Sequence, residues 1–274
     1  MSAAAVVDGL GVGVHDIDDA AYFADPAFSH SDAKVLLASP ARYRWVKDHP
    51  DERAYNAAYE FGHVVHALAL GKGSEIVVVD AGDWKTKAAR EERDGALAVG
   101  AYPILRAEYD EAVECAASIR SHPLAAKLLG HVDAVEVVGV WDDGDVRRKA
   151  KLDAVSGRFG VDIKTSTDAS TDGFGRSAGK YAYASQDAWY RDALRACFGV
   201  DDPAFVFVVV EKFPPFLVNT IVLDPYDVEL GGRRNRRAID LYRECRDSGV
   251  WPGYGDGLNV ATLPRWAEIE MEGM

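Results

Sequence analysis

Residues 147–165 read RRKAKLDAVSGRFGVDIKT, and the fold follows from how this stretch is read. Two β-rich runs, Val146–Val155 and Phe159–Thr165, flank the turn signal Ser156-Gly157. Asp153 falls near the end of the first run, and Asp162 sits within the second, 9 residues on. A tight turn between the runs sets the two carboxylates side by side. Val161 and Ile163 flank Asp162, so Asp162 points to the opposite face, and Lys164, two residues on, shares that face. Charge inside a strand is costly and needs a reason. One reason is an ion pair at a sheet edge. The other is chemistry. Paired carboxylates bind a hard divalent cation through oxygen, and magnesium suits few carboxylates and several waters. Such an ion polarises a phosphate and acidifies water. A lysine beside it orients that water or stabilises charge developing on phosphoryl oxygens.

Working outward, Ala134–Trp141 precedes the first run, joined to it by the hairpin signal Asp142-Asp143-Gly144-Asp145. The three runs make a meander. Upstream, the pattern is helical. A helix start lies at Ser31-Asp32, with a break and restart at Ser39-Pro40. An apolar-faced helix runs from Arg53 to Leu70 and stops at Gly71. Glu75–Asp80 reads as a strand, Lys87–Val99 as an exposed helix, and Pro103 as the opening of a helix through Ser121. Downstream come a helix over Tyr183–Cys197, strands at Phe205–Glu211 and Phe216–Leu223, and a helix opened by Asp224-Pro225 that runs to about Asp247. The tail carries Trp251, Pro252, Tyr254, Pro264 and Trp266 and reads as an aromatic-anchored extension. The expectation is an α/β fold with a mixed central sheet flanked by helices and a helical N-terminal elaboration. Residues 1–28 read as an arm, and residues 29–274 as one domain.

Bulk properties exclude several classes. The chain has 274 residues, 48% of them hydrophobic, and no run approaches the roughly 20 apolar residues of a membrane span. No basic leader precedes an apolar stretch, so a cytoplasmic location is expected. Cys115, Cys197 and Cys245 are odd in number and scattered. This argues against a disulfide framework, a zinc site or a four-cysteine iron–sulfur cluster. Lysine and arginine number 31 against 44 aspartate and glutamate, a net charge of −13. That balance opposes broad nucleic-acid coating but not a local channel. Three basic runs could line one: Arg147 to Lys149, Arg233 to Arg237, and Lys85 to Arg93. Each also reads as a solvated face.

Four segments together resemble the RecE-type exonuclease VIII family within the PD-(D/E)XK nuclease superfamily. They are Ser31 through Trp45; Gly62-His63-Val64-Val65-His66, a Gly-x-x-x-His signature; Lys151-Leu152-Asp153 with Asp162-Ile163-Lys164-Thr165; and Gln186 to Tyr190, a Gln-x-x-x-Tyr signature. The resemblance covers roughly residues 29 to 266. It implies a PD-(D/E)XK, restriction-endonuclease-like core. The implied activity is a magnesium-dependent 5′-to-3′ exodeoxyribonuclease, with manganese as a substitute ion. Such an enzyme degrades linear duplex DNA from its ends in a bacterial host cell and leaves 3′ single-stranded tails for a RecT-like annealing protein. Relatives form rings around DNA, which implies a homo-oligomer. The implied metal ligands are His66, Asp153, Asp162 and the carbonyl of Ile163. Lys164 would handle the attacking water, and Gln186 and Tyr190 would approach the substrate. Lys151 stands where the family often has arginine, which keeps the charge but not the bidentate fork. The alternatives are another nuclease of the superfamily, structure-specific or single-strand, and a non-catalytic DNA-binding protein on the same fold.

Several residues keep a second reading. His66 can be a ligand or a partly buried structural histidine. His63, one turn earlier, makes a zinc pair conceivable, but no third nitrogen or sulfur donor is near in sequence. Glu60 is a candidate outer group. Glu136, among Val135, Val137 and Val138, fits a metal site and a solvated strand face equally well. Gln186 and Tyr190 share a helix face, which also suits plain packing.

Overall fold

The computed structural model describes residues 9–49 and 57–272. The first half contains β1 (Gly13–His15), α1 (Asp19–Ala24), β2 (Phe28–Ser29), α2 (His30–Ala38), α3 (Pro40–Asp48), α4 (Ala57–Leu70), β3 (Ile76–Val79), α5 (Lys87–Ala98), β4 (Tyr102–Leu105), α6 (Arg106–Ser121) and α7 (Pro123–Gly130). The second half contains β5 (Ala134–Asp143), β6 (Val146–Ser156), β7 (Phe159–Ser166), α8 (Thr171–Tyr181), α9 (Tyr183–Phe198), β8 (Ala204–Glu211), β9 (Val218–Ile221), α10 (Pro225–Ser248) and α11 (Arg265–Glu272).

Local chemistry sets many of these limits. Ser29 and Asp32 form a capping box at the start of α2, two residues earlier than Ser31 suggests. Ser39 caps α3 and Pro40 occupies its first turn. Asp224 caps α10, whose first turn holds Pro225. The start of the helix expected at Arg53 lies outside the described residues.

One expected element is corrected. Pro103 does not open a helix; it lies in β4, which pairs in parallel with β3. Among the described residues that sheet has two strands, so a residue without an N–H is tolerated on its edge, and α6 begins at Arg106 instead. Helix α8 is not evident from the sequence because Gly173, Gly175 and Gly179 dilute its pattern. A side chain at Gly173 would displace Asp168: a Cβ there would lie 2.1 Å from the Asp168 carboxyl carbon. The tail is anchored where Trp251 meets Tyr43 and Tyr242 and where Ala41 N–H donates to the Pro252 carbonyl at 3.1 Å. No described helix is long and apolar enough to cross a membrane.

The main sheet, seven-stranded among the described residues, runs β1-β5-β6-β7-β8-β9, with β2 also on β6. It is mixed: β5, β6 and β7 form an antiparallel meander, β8 joins β7 in parallel, and β9 returns antiparallel. Strand β8 is buried on both sides. Val206, Val208 and Val210 enter the cluster under α4 and α6, which includes Val64, Ile119, Val161 and Ile163. Phe205, Phe207 and Val209 face Phe174 of α8. On the same face as α9, Leu152 and Trp141 pack with Trp189, Leu36 and Ile239. Helices therefore cover both faces of the sheet, which makes the fold α/β with a mixed central sheet.

One irregularity positions everything that follows. Strands β6 and β7 pair at Ser156–Phe159, Val155–Gly160 and Ala154–Val161, and there the ladder stops. Beyond that point β7 continues alongside β8, while β6 is joined by β2 at Arg148 and Lys149. The sheet forks. Asp153 and Asp162 are the first residues past the split. The described part of the N-terminal segment contributes one edge of the sheet, β1 on β5, and a short strand inside the fork, β2 on β6.

Candidate metal centre and catalytic cleft

At the fork, backbone groups released from the ladder are taken up by side chains. The Ile163 N–H donates to Asp153 Oδ2 at 2.8 Å. The Ile163 carbonyl lies 2.6 Å from His66 Nε2 of α4, which donates to it when the proton is on that nitrogen. His66 Nδ1 then faces Asp153 Oδ2 at 3.3 Å. The β5–β6 register brings Glu136 opposite Asp153, between the pairs Val135–Ala154 and Val137–Leu152. Glu136 has φ 49°, a left-handed backbone that a non-glycine residue adopts at a cost. Ligand atoms of His66, Glu136 and Asp153 all lie within 4.8 Å of one another.

Asp162 is 3% exposed and closes the other side. Its Oδ1 accepts from Gln186 Nε2 of α9 at 2.6 Å. Its Oδ2 lies 2.6 Å from Lys164 Nζ, yet outside hydrogen-bond geometry, and has no hydrogen-bond donor among the described residues. That oxygen is answered by the Lys164 charge rather than by an aligned hydrogen bond. Lys164 also sits 5.1 Å from the Tyr183 ring centre. Tyr190 packs edge-on against Phe205 and lines the same cleft of about 520 Å³ as Gln186 and Lys164.

The electrostatics reflect this crowding. Burial, then the charge of Asp162, pushes the Asp153 carboxyl up to about 7 against partial relief from Lys164. Burial and Asp153 likewise raise Glu136. Burial lowers His66, with Lys164 adding to the effect and Asp162 opposing it, which keeps the imidazole neutral at pH 7. Burial alone lowers Lys164, but Asp162 and Asp153 overcome that and hold it above its ordinary value. Surplus negative charge around two oxygens and one neutral nitrogen, with a donorless Asp162 oxygen alongside, fits a divalent cation.

The structure thus brings together Asp153, Asp162, Lys164, His66, Ile163, Gln186 and Tyr190 from four elements. Glu136 joins them, although a solvated strand face explains it equally well from sequence. His63 does not: it packs against the rings of Tyr59 and Tyr102 at 4.2 and 4.8 Å. Glu60 is likewise absent from the cluster. Lys151 is held by Asp19 of α1 at 2.5 Å and Glu136 at 2.6 Å. Asp19 has no signal in the sequence, because α1 precedes every recognisable motif.

One basic run is corrected, and a second shows surface ion pairs. Arg148 is 2% exposed, lies 3.8 Å from the Trp189 ring centre, and bonds Asp143 and Asp192 at 2.9 and 3.0 Å. Lys149 donates to the carbonyls of Tyr22 and Asp25. Both are therefore structural, and Arg147 pairs with Asp142. In the Lys85–Arg93 run, Lys85, Lys87 and Arg93 pair with Asp83, Glu91 and Asp94.

Comparisons with known proteins agree with this geometry. The family model described as "PDDEXK-like domain of unknown function (DUF3799)" matches residues 29–263. Among solved structures, the chain is similar to a "Putative exonuclease" from Eubacterium rectale, with TM-score 0.63 and 14% sequence identity, over 94% of this chain and 98% of that one. At that identity the likeness shows the fold. No curated protein matches.

Proposed function

Because the chain belongs to the PDDEXK-like family DUF3799, we propose that it hydrolyses DNA phosphodiester bonds at the fork. One observation carries the reading. Glu136, Asp153 and Asp162 lie in one row across three neighbouring strands, with Lys164 beside the last and His66 closing the row from α4. His66, Glu136, Asp153 and Asp162, with the Ile163 carbonyl, would hold the cation, and the predominance of hard oxygen donors favours magnesium, with manganese as a substitute. When bound, a divalent ion supplies Lewis acidity toward a phosphate oxygen and acidifies water.

The protein's own groups have distinct tasks. Asp153 has to lose its proton before it can serve as a ligand. Lys164 stays protonated at neutral pH, so it donates: it orients the attacking water and stabilises charge on the phosphoryl oxygens. Gln186 fixes Asp162 Oδ1 and so aims Oδ2 into the site. Tyr190 lies beside Gln186 along the cleft wall and limits where a scissile phosphate can sit.

The finer reading is a RecE-type enzyme that digests linear duplex DNA 5′ to 3′ and leaves 3′ tails for a single-strand annealing protein. A homo-oligomeric ring would confine basic surface to a channel in a chain of net charge −13. Motif order supports this part. The test uses end-labelled linear duplex and closed circular DNA with magnesium. Cation-dependent loss of linear DNA that Asp162→Ala abolishes is expected, with the surviving label reporting direction. No cation-dependent degradation, or degradation unaffected by Asp162→Ala, overturns the reading.

A further inference from the structure

Helix α2 leads away from the catalytic cleft. Ser31 lines that cleft, and Leu37 lines a second groove of about 380 Å³ with Arg233, Arg234 and Arg237 of α10. Ser31, Lys34 and Leu37 follow at three-residue spacing, each beside the next on the helix surface. Six residues of α-helix span about 9 Å. Lys34 therefore stands between the two openings. Its ammonium is pushed down first by burial and then by Lys164 and Arg234, which places it within electrostatic reach of both. A line of positive charge connects the catalytic lysine to the groove.

Pairing sets these residues apart. Farther along α10, Arg236 is matched to Asp143, Arg243 to Asp145 and Asp240, and Arg246 to Asp145 and Asp247. Arg233 has Glu229 at 3.7 Å. Among the described residues no acidic group lies within 4.0 Å of Lys34, Arg234 or Arg237, in a chain whose net charge is −13. Unmatched cations gathered in a groove repel one another and attract anions.

The frame around the groove is rigid. His30 Nε2 donates to Ser185 Oγ at 2.8 Å, and Asn235 Nδ2 donates to the Ser185 carbonyl at 2.8 Å. Gly231 admits α10 against α9, since a Cβ there would lie 2.2 Å from the Ala184 carbonyl oxygen. Ser185 thus ties α2, α9 and α10 together, and the next residue, Gln186, holds Asp162. The groove is fixed in place relative to the catalytic carboxylates.

We propose that Lys34, Arg234 and Arg237 form a track for the phosphate backbone of a DNA strand that runs between the catalytic cleft and the α2–α10 groove. The identity of the strand rests on the nuclease reading; the charge geometry does not. The test is binding of a short fluorescein-labelled DNA duplex, followed by anisotropy in EDTA across a salt series. Cleavage and metal loading then play no part. The double variant Arg234→Glu/Arg237→Glu is expected to bind at least about tenfold more weakly, and the slope of log affinity against log salt should flatten by about one for each phosphate left unneutralised. Arg234→Lys/Arg237→Lys is expected to retain most binding, and Lys34→Gln to lose part of it. These milder variants carry the test if the charge reversal disturbs folding. Wild-type affinity and salt slope in the reversed and Lys34→Gln variants overturn the track while leaving the nuclease reading intact. Absence of salt-dependent binding by the wild type overturns it as well. A chain that binds through these residues but never cleaves overturns the nuclease reading alone.

Discussion

Strand β6 carries two buried charged sites five residues apart, and they are built on opposite principles. At Arg148 the guanidinium lies between Trp141 and Trp189 and is answered by Asp143 and Asp192. Charge is matched and the apolar stem is packed. At Asp153 the neighbours are Glu136 and Asp162, and the cations nearby do not balance them: Asp153 is driven up to about 7 and Glu136 is raised as well. The first site is matched in charge without a ligand, although Arg148 Nε and Nη2 find no acceptor among the described residues and lie against the indole rings. The second is stable only at the cost of holding protons, and a cation would replace them. A charge matched by its neighbours marks the structural site, and charge imbalance marks the functional one.

The largest way to break the contrast is Asp153→Asn. On the proposed function, it removes a ligand and should lower DNA degradation on the order of 10³-fold or more in a single-turnover assay. The same substitution relieves carboxylate repulsion, so the cation-free protein should melt higher than wild type at pH 8 in a calorimetric scan. Loss of both activity and thermal stability would place Asp153 on the structural side of the comparison. Arg148→Ala should do the reverse. Emptying the space between two tryptophans should cost about 2–4 kcal/mol in denaturant unfolding, while cation binding persists.

Much of the unbalanced site can be read from its turns. Glu136 and Asp153 each lie seven residues from the Asp143–Val146 pair that closes the first hairpin, and Asp153 and Asp162 each lie three from the Ser156–Phe159 pair that closes the second. Two-residue turns fix register, so the neighbourhood of Asp153 and Asp162 is legible, whereas Glu136 joins the row only once the β5–β6 pairing is seen. The fold class is legible for the same reason. Other features depend on contacts between distant segments. Nothing local in Arg147-Arg148-Lys149 reveals that Trp189 covers Arg148 or that the Tyr22 and Asp25 carbonyls receive Lys149. Asp19 reaches Lys151 across 132 residues. Pro103 misleads because its helix-opening preference ignores an edge strand.

A smaller effect sharpens the comparison through pH. A carboxyl raised to about 7 is protonated below that value and ionised above it. Its contribution to apo stability is therefore fullest at low pH and is lost as pH rises through about 7. Cation affinity moves the other way, because protons compete for the same oxygens. Affinity for magnesium or manganese by calorimetry should strengthen about tenfold from pH 6 to pH 8. Burial lowers His66 from its ordinary value, so its proton competes with the cation less than that of a free imidazole would. A flat profile would mean that Asp153 is ionised throughout and the imbalance is illusory.

The two-residue strand β2 gains meaning from where it sits. Strand β6 has two edges; β5 occupies one along its length, and β7 uses the other only as far as Ala154. Phe28 and Ser29 occupy the edge that β7 leaves. They act as a wedge, preventing the fork from zipping shut and taking up the backbone groups that would pull β7 back. The Ile163 carbonyl turns to His66 instead of β6, in a fork whose open end is filled by a short segment more than a hundred residues upstream.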